Sequence, residues 1–332
     1  MKTKLYVLIF VLILFQIFLP LLTGEETIKP YALVTVSVAN MRCQPAYSAE
    51  MATQCILGSP LRVIGEKKGW YQVLTPDGYD CWVTGNSLTL LSRVAFNSWI
   101  KSPKIIYLQD NGFVFSQPDS NASRVSDLVS GCVFQNKENT GNFIAVSFPD
   151  GRSGYVFETG CRDFEDWKQN VQLNEENLIK KATDLMGVPY LWGGTSSKML
   201  DCSGMTKLCF FLNGVIIPRN ASRQAEVGER IDIKKDFSNL QKGDLLFFGT
   251  PATTEKQLHI SHVGFYMGDG FVIHEAGRVH LSSLKSENKL YDQSLANRLV
   301  LIRRLTTMVG EKGIIPVNRH PFYRLQNEEN EY

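Results

Sequence analysis

The sequence predicts a multidomain chain, two small all-β barrels followed by an α+β domain. Three observations carry this: an internal repeat, Pro-Asp-Gly turns between short alternating runs in both copies, and a change of pattern after residue 165. A chain of 332 residues has room for all three units.

The first 24 residues stand apart. "MKTKLYVLIFVLILFQIFLPLLTG" places Lys2 and Lys4 ahead of an apolar run stopped at Pro20, the layout of a secretory signal peptide. An uncleaved anchor is the competing reading, because the run is near the shortest that spans a bilayer. No cysteine closes the segment, which argues against a lipoprotein anchor. The expectation is an exported chain with no membrane association once the signal is removed.

The repeat has an offset of 73 positions, which lays "GWYQVLTPDGYDCWV" (69–83) on "NFIAVSFPDGRSGYV" (142–156). Pro76, Asp77 and Gly78 then fall on Pro149, Asp150 and Gly151, Pro45 on Pro118, and Gly58 on Gly131. Runs such as "WYQV" and "FIAV" alternate as half-buried strands do, and each Pro-Asp-Gly marks a tight hairpin. At about 60 residues, each copy suffices for a small closed barrel. The expected limits are 30–92 and 100–165.

The third unit is expected over 170–306, with a tail at 307–332. "NEENLIKKATDLMGVPY" reads as a helix capped by Asn174, with an apolar stripe of Leu178, Ala182, Leu185 and Met186 and a stop at Gly187 and Pro189. A second helix starts near Cys202, since Met205, Leu208, Cys209 and Leu212 follow at helical spacing. "KGDLLFFG", "HVGFYMGDGFVIHEAG" and "RLVLIRRL" are apolar strands bounded by turns. The last residues, "LQNEENEY", are polar and predict a frayed end.

Composition excludes little: net charge is +2, which gives no reason to invoke nucleic acid or an anionic membrane. Seven cysteines in an exported chain leave at least one unpaired, and their connectivity is not readable; small buried hydrophobes are the alternative. The sequons at Asn121 and Asn220 matter only in a eukaryotic secretory pathway.

Chemistry concentrates in "GGTSSKMLDCSGMTKLCFF" (193–211). Asp201 is positioned as an N-cap, so Cys202 lies in the first helical turn, where unpaired N–H groups favour a thiolate and predict a lowered pKa. Cys209 falls on the apolar stripe and reads as packing. A thiolate nucleophile needs a base and a group to orient it. His262 and His274 end adjacent strands joined by "GDG", so they meet at one sheet edge, although a strand-end histidine is as readily structural. His259 and His262 are three apart, but no His-Glu-x-x-His or Cys-x-x-Cys spacing occurs, so no metal or other cofactor is called for.

With these residues in place, the chain resembles the NlpC family of bacterial cell-wall cysteine peptidases, which share a papain-like fold. The resemblance runs over residues 175 to 306 on "VPYLWGGTSSKMLDCSG", "PRNASRQ", "KGDLLFFG", "ISHVGFYMGDGFVIHEAG" and "RLVLIRRL". "VANMRCQP", "LRVIGEKKGWYQV" and "GYDCWV" resemble pieces of bacterial SH3-like domains, with Cys81 where that family has a small residue; the second copy lacks their Asn-x-Arg. SH3-like domains ahead of such a peptidase resemble the γ-D-glutamyl-L-diamino-acid endopeptidases.

The resemblance implies Cys202 as nucleophile, His262 as base, His274 as third member and Tyr190 beside the oxyanion. It implies substrate contacts at Asp201, Ser203, Trp192, Arg219 and Asn220. Asp201 is the candidate partner of a free substrate ammonium. Glu50 and Tyr79 of the first barrel are candidates for closing the cleft. The implied substrate is a peptidoglycan stem peptide, L-Ala-γ-D-Glu-diamino acid with a free N-terminus, cut by a monomeric enzyme in the periplasm or envelope of a bacterium. An amidase or endopeptidase acting on intact wall, and a non-catalytic wall-binding protein, are the alternatives.

Overall fold

The computed structural model describes residues 29–326. The segment read as a signal peptide lies outside the described residues.

The first repeat forms one seven-stranded sheet from β1 (Tyr31–Val34), β2 (Val38–Arg42), β3 (Met51–Ile56), β4 (Pro60–Lys67), β5 (Trp70–Leu74), β6 (Asp80–Thr84) and β7 (Leu88–Leu91). The second uses β8 (Lys104–Tyr107), β9 (Asn111–Phe115), β10 (Arg124–Val129), β11 (Val133–Thr140), β12 (Phe143–Ser147), β13 (Ser153–Phe157) and β14 (Cys161–Asp163). Their spatial orders are β3-β2-β6-β5-β4-β1-β7 and β10-β9-β13-β12-β11-β8-β14, one permutation used twice. The sequence repeat is therefore a repeat of topology.

The shared turn residues have local causes. Gly78 and Gly151 close the Pro-Asp-Gly turns with φ of +72° and +87°, a region that side chains disfavour. Their N–H groups donate to the carbonyls of Thr75 and Phe148 at 2.9 and 3.1 Å. Gly58 and Gly131 serve contact between the copies. A Cβ at Gly131 would stand 2.6 Å from Ile56 Cδ1, and one at Gly58 would strike the Val133 carbonyl.

Helix α1 (Arg93–Lys101) follows the first sheet and α2 (Phe164–Asn170) the second. Both feed one shared core: Phe96 and Trp99, Phe164 and Trp167, and Ile216, Val317 and Tyr323 from the third unit. That core, and the ion pair of Lys207 with the buried Asp77 at 2.8 Å, dock the first repeat onto the rest.

In the third unit α3 (Glu175–Asp184) is capped by Asn174, which accepts from Asn177 N, and Leu178, Ala182 and Leu185 are fully buried. Met186 is exposed, contrary to the expected stripe. The helix has ended at Asp184, so the 3.6-residue period no longer governs it. Beyond the short pair β15 (Thr195–Ser196) and β16 (Met199–Leu200), α4 (Cys202–Leu212) crosses one face of a six-stranded sheet. After β17 (Val215–Ile216) and the single-turn α5 (Ala221–Gln224) come β18 (Glu229–Ile231), β19 (Leu245–Thr250), β20 (His259–Gly268), β21 (Phe271–Glu275), β22 (Val279–Ser283) and β23 (Leu299–Arg304), the last preceded by α6 (Gln293–Asn297). The sheet order is β18-β23-β19-β20-β21-β22. "LLFF" is apolar throughout because Leu245 and Phe247 enter the core under α4, while Leu246 and Phe248 enter the core on the opposite face.

The expected tail corrects in part. β24 (Ile315–Pro316) pairs with β17, and Val317, His320 and Tyr323 are buried. Val317 and Tyr323 complete the three-way core, which a sequence window around them does not reveal.

Candidate active site

Helix α4 starts where its cap allows. Asp201 Oδ1 accepts the Gly204 N–H at 2.7 Å, and Oδ2 accepts the Gly193 N–H at 2.9 Å, so one carboxylate fixes both the helix start and the turn before it. The glycines on either side are close approaches. A Cβ on Gly204 would strike the Gly194 carbonyl, and one on Gly193, whose φ is +82°, would lie 2.9 Å from Met51 of β3.

The same β3 reaches further into the site. Gln54 Oε1 accepts the Thr195 N–H at 3.1 Å, and Thr195 Oγ1 donates to the Gln54 carbonyl at 2.9 Å. Arg219, only 2% exposed, donates from Nε to Thr53 Oγ1 at 2.9 Å and from NH1 and NH2 to Asp201 at 3.0 and 2.6 Å. Its NH1 also reaches Ser203 Oγ at 2.9 Å. The carboxylate of Asp201 is neutralised and its lone pairs are taken, so an exposed ammonium anchor does not fit this position. Ser203 is likewise engaged, and Arg219 is a buried tie and not a surface-loop contact.

Cys202 lies at the head of α4, its thiol beside the N–H groups of Val263 and Ser203. The expected low pKa is overturned: burial first, then the charge of Asp201, push the thiol up to about 11. The N-terminal field is real, but desolvation of an anion outweighs it here. His262 is pushed down to about 4, chiefly by burial and then by Arg298. Thiol and imidazole therefore rest as a neutral pair near pH 7.

His262 Nε2 stands 2.9 Å from His274 Nδ1, and His274 Nε2 stands 3.0 Å from Ser282 Oγ. His274 is almost fully buried, and burial brings it down to about 3, so it is neutral. A proton on His262 Nε2 implies one on His274 Nε2, donated to Ser282. That chain leaves His262 Nδ1 unprotonated and able to accept a proton.

One cavity of about 410 Å³ is lined by Cys202, His262, Tyr190, Trp192, Asp201, Ser203, Arg219 and Asn220 from the third unit, and by Glu50 and Tyr79 from the first. His274 does not line it but stands behind His262. Trp192 Nε1 donates to Glu50 Oε1 at 2.8 Å, joining the two units across the cavity. Asn220 Nδ2 lies 3.4 Å from the Tyr79 hydroxyl. Tyr190 is pushed up to about 12 by burial and by Cys202, so its phenol keeps its proton and can donate. Among the described residues, Glu50 has no cationic partner, so its charge is free for a ligand.

The sequence reading passed over Ser282, Thr53, Gln54 and Cys43, an exposed thiol on the cavity wall. Thr53 and Gln54 carry no local signal, because they act on Arg219 and Thr195, 166 and 141 residues away; Ser282 stands on the strand next to His274. All seven cysteines are free thiols; Cys55, Cys81, Cys132, Cys161 and Cys209 are buried as small hydrophobes.

Beside the site Glu275 is fully buried, and neither carboxyl oxygen has a hydrogen-bond partner. Burial and then Asp201 raise it from 4.5 to about 7. Because folding favours its protonated form, its ionisation removes stability as pH rises from 4.5 through 7. Glu275→Gln is expected to raise the melting temperature at pH 8 and to leave it nearly unchanged at pH 4. Equal shifts at the two pH values in thermal scans would contradict this.

Comparison with known proteins agrees with this geometry. Residues 187–303 match the model of the NlpC/P60 family, and residues 41–88 match that of the bacterial dipeptidyl-peptidase SH3 domain. Dipeptidyl-peptidase 6 of Lysinibacillus sphaericus is 28% identical over 284 residues, 82% of this chain and 99% of that protein. Gamma-D-glutamyl-L-lysine dipeptidyl-peptidase of Bacillus cereus is 27% identical over 233 residues, 68% of this chain and 67% of that protein. The crystal structure of an NlpC/P60 family protein from Bacillus cereus superposes with a TM-score of 0.69 at 21% identity, covering 82% of this chain and 99% of that one. Among the described residues no helix is long and apolar enough to cross a membrane.

Proposed function

We propose, for a chain that carries an NlpC/P60 domain behind a bacterial dipeptidyl-peptidase SH3 domain, that it is a cysteine peptidase of peptidoglycan-derived peptides. It cuts the γ-D-glutamyl–diamino-acid bond of short stem peptides whose N-terminal L-Ala is free. In this reading the two sheets of one topology are two SH3-like barrels over 30–92 and 100–165, and residues 170–306 are a papain-like domain. The protein acts as a monomer in the bacterial envelope, exported by the segment 1–24.

The supporting observation is a single cavity lined by the Cys202 thiol, the His262 imidazole and, from the first unit, Glu50, which Trp192 ties across it. Cys202 Sγ attacks the γ-carbonyl of D-Glu as its proton passes to His262 Nδ1. The His274–Ser282 chain holds the imidazole and stabilises its positive charge. The developing oxyanion accepts from the Cys202 N–H and the Tyr190 phenol, and one such donor is typically worth ~3 kcal/mol of barrier. His262 protonates the departing amine; water, deprotonated by the same imidazole, then hydrolyses the thioester.

Glu50, and not Asp201, pairs with the substrate ammonium in this reading. Its carboxylate lies on the cavity wall that the first barrel supplies, and in this reading that wall excludes a glycan-linked stem. Trp192 walls the cleft, with Tyr79 and Asn220 at its side. The test offers L-Ala-γ-D-Glu-diaminopimelate with its amine free or acetylated. Acetylation is expected to lower kcat/KM by about 10²-fold, the size of a lost hydrogen bond to a charged group. Equal cleavage of the two peptides would overturn the requirement for a free N-terminus. Faster cleavage of polymeric wall would favour an enzyme of intact peptidoglycan.

A further inference from the structure

A second cavity of about 650 Å³ adjoins the active-site cavity: Ser222, His259 and Ile260 line both. Glu50 lines the first cavity, and Arg230, Arg303 and Glu226 line the second.

The two arginines are directly opposed across β18 and β23, where like charges destabilise a sheet. Arg303 is half-buried and donates to the carbonyls of Ala225 and Gly228 at 2.7 and 3.1 Å. Among the described residues neither arginine has a carboxylate partner, and the charge of Arg230 adds to burial in disfavouring that of Arg303. Glu226 is exposed and also unpaired among the described residues. Two guanidinium groups opposed on neighbouring strands, neither ion-paired among the described residues, form a receptor for an anion in a cavity next to the nucleophile's.

We propose that this second cavity is the leaving-group subsite, in which Arg230 and Arg303 bind the free C-terminal carboxylate of the diamino acid and Glu226 takes its side-chain ammonium. The assignment rests on the reading of the site as a stem-peptide hydrolase. With the substrate ammonium at Glu50 and the scissile carbonyl at Cys202, the chain beyond the cut runs toward β18 and β23. A residue spans ~3.5 Å of extended chain, so the diamino acid enters this part of the cleft directly after the scissile bond. Peptides that end at the diamino acid are then preferred to those amidated there.

Calorimetric binding to the full chain carrying Cys202→Ala separates this subsite from catalysis. The ligands are uncleaved L-Ala-γ-D-Glu-diaminopimelate as C-terminal acid and as C-terminal amide. The acid is expected to bind on the order of tenfold tighter, the value of one charge-assisted pair. Adding Arg230→Gln, a change at an exposed position, should bring the two affinities to within about twofold. Equal affinities for acid and amide in the chain with both arginines would overturn the subsite, as would a preference that survives Arg230→Gln. Hydrolysis by the chain with Cys202 intact tests the underlying reading, which fails separately if neither peptide is cut.

Discussion

Replacement of Cys202 by alanine is expected to lower hydrolysis of the tripeptide by on the order of 10⁴-fold or more, with the fold retained. Cys202 packs only at the edge of the core under α4, and its thiol lies beside the Val263 and Ser203 N–H groups at a cavity wall, so alanine removes one sulfur atom and keeps the Cβ packing. Removing a nucleophile from a concerted set leaves only the residual effect of oxyanion donors and binding, hence the size of the loss. His262→Ala is expected to cost about as much, and the double variant little more, because the two act as one unit. Undiminished turnover by Cys202→Ala would instead leave a wall-binding protein.

The pH profile is part of the same expectation. With His262 near 4 and Cys202 near 11, the neutral pair is the resting form between those values. The acid limb of kcat/KM is expected near pH 4, and no alkaline loss from this pair below about 11. The two groups titrate as a pair, so the limbs belong to the site and not to either residue. An alkaline limb between about 8 and 9 would show a thiolate–imidazolium pair instead. Alkylation of Cys202 by iodoacetamide should accordingly be slow near neutrality and accelerate as the pH rises toward 11.

The second large effect is on stability. Arg219→Met is expected to cost ~3–5 kcal/mol, because it strands the Asp201 carboxylate in a buried position. That carboxylate caps α4 and holds Gly193, so the loss reaches the nucleophile's backbone. The tie to Thr53 disappears as well, loosening the first sheet against the site. Asp201→Asn removes the charge from the other side, and the pair should couple by more than ~1 kcal/mol in a double-mutant cycle read by denaturant unfolding. Additive losses would mean that the two side chains do not act together.

Much of the site was legible because its causes are local. A capping aspartate and an apolar stripe at helical spacing define where α4 begins, so Cys202 could be placed in a first turn from spacing alone. The alternation around "PDG" defined the hairpins, and the 73-residue offset became a repeated strand order. His262 and His274 met because two strands joined by a tight turn must bring their ends together. Met186 failed for the complementary reason: periodicity describes a helix only while the helix lasts.

The sequence by itself determined the order of the units, the helix that presents the thiol and the two adjacent strands that present the imidazoles, although β20 starts at His259 and so holds His262 inside it. Each follows from propensity and period, which act over a few residues. Tertiary structure alone decided the charge state of the thiol, the spending of Asp201 on Arg219 and the arrival of Glu50 beside Trp192, 142 residues away in the chain. It also decided that the expected tail closes a core shared by all three units. The physical reason is that desolvation, ion pairing and burial depend on distance in space, and a spacing pattern carries no record of that distance.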